Sequence, residues 1–218
     1  MCWEKSLYPL QDKVLAAVET AGTGFYLTGG TALSRFYYQH RYSEDLDFFV
    51  NDADDFDREM TAVFSALRKN AVAFAVMVNE DRFRRIDVEQ ALKVEFVNDV
   101  PFYLGERQKI PGAPFSAIDN PLNILANKIP ALRDRDEPKD VADIREIALK
   151  IRPDWREIFS AAESKAAGIF PPEIAEKLER FDPALLDRIH WIVRPDAQQF
   201  QKDMRSIALD MLGFKTNP

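Results

Sequence analysis

The segment Tyr26–Val50, YLTGGTALSRFYYQHRYSEDLDFFV, constrains the fold of this chain more than any other. Phe25–Thr28 is short and mostly apolar, and reads as a strand. Gly29–Gly30 ends it, and Thr31 to Gln39 has the spacing of a helix. Leu46 to Val50 reads as a second, buried strand. A strand that stops at two glycines and runs straight into a helix leaves backbone N–H groups open to a ligand, because no Cβ stands in the way. The helix N-terminus adds a partial positive charge, and together they suit a phosphate. A Gly-Gly pair on its own is more often the punctuation of a turn.

The second strand carries the other half of the argument. In Asp45–Leu46–Asp47–Phe48, side chains two residues apart share a face. Both carboxylates project together, and Leu46 and Phe48 point to the apolar side. Asp is depleted in strands, so this alternation is locally costly, which marks a candidate site rather than a merely solvated edge. Two carboxylates beside a phosphate cradle are oxygen donors suited to Mg²⁺. A third acid, Glu95, lies in another alternating run, Lys93–Val94–Glu95–Phe96–Val97. If the two strands neighbour each other, Glu95 completes the metal site or acts as general base on an attacking hydroxyl. An ion pair with Lys93 on the same face is the alternative. The candidate metal ligands are Asp45, Asp47 and Glu95. The candidate nucleotide contacts are Gly29, Gly30 and Thr31, with Arg41 and Ser43 from the loop before the acids.

Elsewhere, apolar spacing predicts a helix over 9–21 and an amphipathic helix over 53–69 with Phe56, Met60, Val63, Phe64 and Leu67 on one face. Three strands, 71–78, 82–88 and 91–97, are joined so tightly that an antiparallel meander is expected. Near residue 115 the pattern changes. Helix starts marked by proline follow at Pro121, Pro138, Pro153, Pro171, Pro183 and Pro195. The expected fold is α+β: residues 1–115 form a core with a small mixed sheet flanked by helices. Residues 116–218 form a helical region that packs on the core and completes the active site.

Composition closes off several classes. Hydrophobic residues at 46%, with 16 Phe, suffice for a real core and exclude a disordered chain. The balance of 29 Lys and Arg against 36 Asp and Glu, a net charge of −7, excludes a general DNA-coating protein. A cluster of Arg82, Arg84 and Arg85 leaves room for a local basic strip, or for surface cations paired with Glu80, Asp81 and Asp87. The single cysteine, Cys2, has no partner for an internal disulfide, which fits a reducing cytoplasm. No apolar run approaches the roughly 20 residues that span a bilayer, and the first residues hold no signal-peptide core.

Glycine pair, helix, D-h-D strand and later strand acid together resemble the minimal core of the DNA-polymerase-β-like nucleotidyltransferases. More narrowly, GGTAL at 29–33 followed by RYSEDLDF at 41–48 resembles the AbiEii/AbiGii toxin family of nucleotidyltransferases. Two downstream segments extend the resemblance to Ile144. Asn123–Ile129 matches a helix bearing a key lysine, Lys128, and KDVADI at 139–144 matches a K/R-D-h-x-D-h element. Glu95 stands where many relatives have Asp, and Pro130 is expected to kink or end the Lys128 helix.

The resemblance implies an enzyme that moves a nucleoside monophosphate from a nucleoside triphosphate to an acceptor hydroxyl, with Mg²⁺ as cofactor. Lys128 then neutralises the triphosphate, and Asp143 orients Lys128 or contacts the nucleotide. Asp140 reads more simply as a first-turn acid favoured by the helix dipole. The resemblance also implies the toxin half of a bacterial toxin–antitoxin or phage-defence pair, a cognate antitoxin, and the 3′ end of tRNA as acceptor. A small molecule or a protein hydroxyl is the alternative acceptor, and an inactive nucleotide-binding module is the alternative to an enzyme. The presence of both Asp45 and Asp47 argues for catalysis.

Overall fold

The computed structural model describes residues 3–213, so Cys2 lies outside the described residues. The chain forms two compact units. One comprises Met1–Tyr37, Tyr42–Pro101 and Glu106–Asn120; the other comprises Tyr38–Arg41, Phe102–Gly105 and Pro121–Pro218.

The first unit contains α1 (Tyr8–Glu19), β1 (Tyr26–Thr28), α2 (Gly29–Leu33), β2 (Leu46–Asn51), α3 (Phe56–Lys69), β3 (Phe74–Glu80), β4 (Phe83–Val88) and β5 (Leu92–Asp99). The five strands make one mixed sheet in the order β1-β2-β5-β4-β3. The expected meander β3-β4-β5 is antiparallel, and β2 lies parallel to β5. The β4–β5 connection, residues 89–91, is a tight turn with both Glu89 and Gln90 at positive φ.

Alternation explains the sheet's two faces. Leu46, Phe48 and Val50 of β2, Val94 and Phe96 of β5, and Ile86 and Val88 of β4 are all buried on one face. The Phe25 ring meets Phe96 at 5.2 Å and Phe56 of α3 at 6.0 Å, which covers that face. Residues in between, including Asp47, Lys93, Glu95 and Arg85, are half-exposed on the other face. The three arginines do not form a strip. Arg84 turns to the buried face, stacks on Phe56 and pairs with Asp57, whereas Arg85 pairs with Glu95 and Arg82 with Asp52. Strand alternation separates neighbours that look contiguous in the sequence.

The second unit contains α4 (Pro121–Asp134), α5 (Pro138–Ile151), α6 (Trp155–Lys165), α7 (Pro171–Glu179), a 3₁₀ turn (Pro183–Arg188) and α8 (Ala197–Met211). Proline opens α4, α5 and α7, and the Asp154, Asp182 and Asp196 carboxylates cap α6, the 3₁₀ turn and α8. Pro130 does not end α4, which continues to Asp134. Burial of Ile129 and Leu132 on either side outweighs the hydrogen bond that the ring removes. Among the described residues, no helix is long and apolar enough to cross a membrane.

Candidate active site

Strand register builds the site. Thr28 of β1 stands opposite Asp47 of β2, Asp47 beside Glu95 of β5, and Glu95 opposite Arg85 of β4. These four side chains form one row across the half-exposed face. Asp45, just before β2, and Lys93 lie one step along, and Asp87 of β4 is directly opposite Lys93. Lys93 Nζ is 3.0 Å from Asp45 Oδ2 and 3.5 Å from Glu95 Oε1, and Arg85 Nε donates to Glu95 Oε1 at 2.7 Å. Partial burial works against the Lys93 charge, but the Asp45 carboxylate, then those of Glu95 and Asp47, hold its ammonium above the ordinary lysine range. Three separate carboxylates thus act on one cation.

The backbone before β2 is fitted to these acids. Gly29 begins α2 at φ +69°, and a Cβ placed on it would collide with the Asp47 carboxylate. Thr31, fully buried, donates its hydroxyl to the Asp45 carbonyl. Thr28 likewise donates to the buried Asp119 carboxylate. Gly30 is buried within α2. The Ser43 carbonyl accepts from the Gln11 side chain at 3.1 Å, which anchors the loop. Thr31 and Ser43 are expected as nucleotide contacts from their places after the glycine pair and before the acids; the Thr31 hydroxyl and the Ser43 carbonyl hold the loop that carries the acids.

The remaining candidates lie in the helical unit. The chain leaves α2 through a π-helical turn, Ser34–Tyr38, and Gln39 adopts positive φ, which delivers His40 and Arg41 to that unit. Arg41 grips Asp143 with two parallel bonds, Nε–Oδ1 at 2.7 Å and a terminal nitrogen–Oδ2 at 2.8 Å. His40 Nε2 lies 2.9 Å from the same Oδ1. Lys128 Nζ sits 2.6 Å from Asp140 Oδ1 and 2.7 Å from Asp143 Oδ2, and Arg135 Nε donates to Asp140 at 2.8 Å. Burial opposes the charge of Asp143, yet Arg41, Lys128 and His40 hold it well below the usual carboxylate range. Burial opposes the charge of Lys128 as well, and Asp140 and Asp143 keep its ammonium above the ordinary lysine value. Asp140 is more than a first-turn acid: it is buried, and Lys128 and Arg135 hold it ionised. Arg41 faces Asp143, so its guanidinium is committed to this network.

Among the described residues, no three His, Cys, Asp or Glu side chains stand close enough to hold a metal unaided. Asp45 and Asp47 nevertheless fit Mg²⁺, which takes one or two carboxylates and completes its shell with water and substrate phosphates. Lys93 already sits among these acids as a stand-in cation, and residue 29 leaves room for the Asp47 carboxylate.

The family model of the nucleotidyl transferase AbiEii toxin, type IV toxin–antitoxin system, matches residues 13–215. The chain belongs to the AbiEii nucleotidyltransferase toxin family. It is by that membership a nucleotidyltransferase. A search of curated protein sequences finds no match. The crystal structure of JHP933 from Helicobacter pylori superposes with a TM-score of 0.62 at 19% identity, covering 98% of this chain and 94% of that one. The solution structure of the antibiotic-resistance factor ANT(2'')-Ia superposes at 0.51 and 15% identity, covering 72% and 89%. At these identities the two structures show the fold of the AbiEii member and no more.

His40 and Asp119 carry no pattern that marks them, and Arg85 stands out only as one of the arginine cluster. Lys93 was visible only as a neighbour of Glu95. What could have found Arg85 and Asp87 was the alternation of β4, which places both on the face of the acids.

Proposed function

We propose that this protein is a Mg²⁺-dependent nucleotidyltransferase toxin that transfers a nucleoside monophosphate from a nucleoside triphosphate to an acceptor hydroxyl. The observation that carries this reading is the pairing of one cation, Lys93, with both Asp45 and Glu95 at 3.0 and 3.5 Å, on the face where Asp47 packs against Gly29. When bound, Mg²⁺ supplies charge neutralisation and polarisation of the phosphoryl oxygens. Asp45 and Asp47 hold it, and Glu95 adds a third negative charge, oriented by Arg85. Gly29, half-buried at the start of α2, is the proposed backbone contact for the phosphates, with the buried Gly30 behind it. Lys128 is the proposed cation for the polyphosphate, and Asp143 and Asp140 are the residues that position it. The acceptor oxygen bonds to the α-phosphorus as the bond to the leaving pyrophosphate breaks, and a carboxylate takes the hydroxyl proton.

The tRNA 3′ end is the proposed acceptor, the cytoplasm the proposed compartment, and an antitoxin the proposed partner, all from family membership. A second reading, with a small molecule or protein hydroxyl as acceptor, draws on the net charge of −7 and on the dispersal of the three arginines over both sheet faces.

An incorporation assay tests both. Purified protein with Mg²⁺ is incubated with each labelled nucleoside triphosphate and total bacterial tRNA, beside Asp45→Ala/Asp47→Ala. Label on tRNA that vanishes in the double variant establishes the first reading. Label on protein alone establishes the second. Failure to bind any nucleotide refutes both.

A further inference from the structure

Lys93 touches two of the acids, and the proposed reaction makes no use of its charge. Its ammonium bridges two of the carboxylates, 3.0 Å from Asp45 and 3.5 Å from Glu95. We propose that Lys93 is a tethered counter-ion of the active site, seated on Asp45 in the metal-free protein and displaced onto Asp87 when a divalent cation binds. The inference rests on the reading of Asp45 and Asp47 as metal ligands.

Three observations support it. The first is charge. Asp45, Asp47 and Glu95 bring three negative charges to one face, and Lys93 with Arg85 offsets two of them. Without Lys93 the metal-free face is left with strong mutual repulsion. With both Lys93 and a divalent ion on Asp45, two cations share one carboxylate at contact distance, which Coulomb's law strongly penalises. The second is freedom of movement. The Lys93 side chain is 42% exposed on a four-carbon stem, whereas Thr31, which fixes the Asp45 backbone, is fully buried. The third is a landing place. Asp87 is directly opposite Lys93 in the antiparallel β4–β5 register, on the same face, at the spacing where cross-strand pairs interact. Arg85 has no equivalent role, because its partner Glu95 is its direct cross-strand neighbour. Lys93 therefore sets how tightly the site takes its metal and keeps the empty face stable.

Mn²⁺ binding, read by electron paramagnetic resonance, and thermal unfolding in EDTA test this without any turnover. Lys93→Met is expected to bind Mn²⁺ at least roughly tenfold more tightly, since a competing cation is gone, and to melt earlier than wild type in EDTA. Lys93→Gln keeps the polar stem and serves if the Met variant fails to fold; the same two shifts are expected. Lys93→Arg should keep the wild-type pattern. Asp87→Asn should weaken Mn²⁺ binding and leave melting in EDTA unchanged. Unchanged or weaker Mn²⁺ binding in both neutral Lys93 variants overturns the proposal. Asp45→Asn/Asp47→Asn separates the two levels. If that variant loses Mn²⁺ and the Lys93 variants change nothing, only the counter-ion role fails. If it binds Mn²⁺ as wild type does, the metal site itself is wrong.

Discussion

The Asp47 carboxylate packs so closely on Gly29 that a Cβ at position 29 would clash with it. Gly29 also holds φ at +69°, a region that other L-residues reach only with strain. Gly29→Ala is expected to displace Asp47 and to cost about 1 kcal/mol or more of stability. Its nucleotidyl transfer should fall far more than its melting temperature suggests. Steady-state kinetics beside a denaturant titration checks this; full activity in a stable variant contradicts the packing argument.

The acids themselves should behave as a unit. Asp45→Asn and Asp47→Asn each retain shape and remove a charge, so folding should survive. Metal-ion stabilisation is worth several kcal/mol, and each 1.36 kcal/mol is tenfold in rate. Each substitution is therefore expected to lower kcat/KM by about 10³-fold or more, and the double variant little further. Additive losses, measured in a double-mutant cycle, would show two independent roles.

Thr31 holds the acids from behind. Thr31→Val removes the hydroxyl that bonds the Asp45 carbonyl and keeps the volume. A lost hydrogen bond of this kind costs about 1 kcal/mol. Chemical denaturation should register that loss, and the apparent Mg²⁺ requirement should rise because Asp45 is no longer fixed. A rise in nucleotide KM at unchanged Mg²⁺ requirement would instead assign the hydroxyl to substrate.

The buried network of the helical unit should leave a pH signature. The folded value of Asp143 lies well below that of an unfolded carboxylate, so its contribution is complete above about pH 4 and is lost as pH falls through the lower folded value. Lys128 works in the opposite sense. Its folded value is raised, so its contribution is complete below about pH 10 and is lost as pH rises through the folded value. Urea midpoints should be flat with respect to both groups between those limits and should drop at the acid end. Asp143→Asn leaves Arg41 and Lys128 short of a counter-charge, and is expected to cost about 3 kcal/mol or more at neutral pH. It should also flatten the acid limb. An unchanged acid limb in that variant would assign the acid loss to other groups.

Much of this architecture is legible in the sequence because the signals are local. The β2 and β5 alternations fix which side chains share a face, and proline and aspartate mark the starts of helices in the second half. The parallel pairing of β2 with β5 is different. It depends on contacts 48 residues apart in sequence, visible in the register of Asp47 with Glu95, and no local pattern encodes it. Pro130 shows the opposite case: the local signal for a helix end yields to the burial of Ile129 and Leu132, and α4 runs on to Asp134. Arg41 reads, with Ser43, as part of the loop before the acids, and His40 carries no pattern at all. A π-helical turn and one left-handed residue, Gln39, bring both to Asp143, more than a hundred residues away in sequence. Backbone conformations of that kind leave little trace in residue type.

That detour decides how the gene can be cut. Asp143 owes its charge to Lys128 and also to a guanidinium and an imidazole encoded upstream of the whole sheet meander, in the four residues Tyr38–Arg41. A fragment beginning at Pro121 would contain every long helix of its unit and would still bury a carboxylate lacking two of its partners. Expressed alone, such a fragment should fail where a contiguous domain of the same size would succeed. A split version of the protein would have to carry Tyr38–Arg41 on the helical piece.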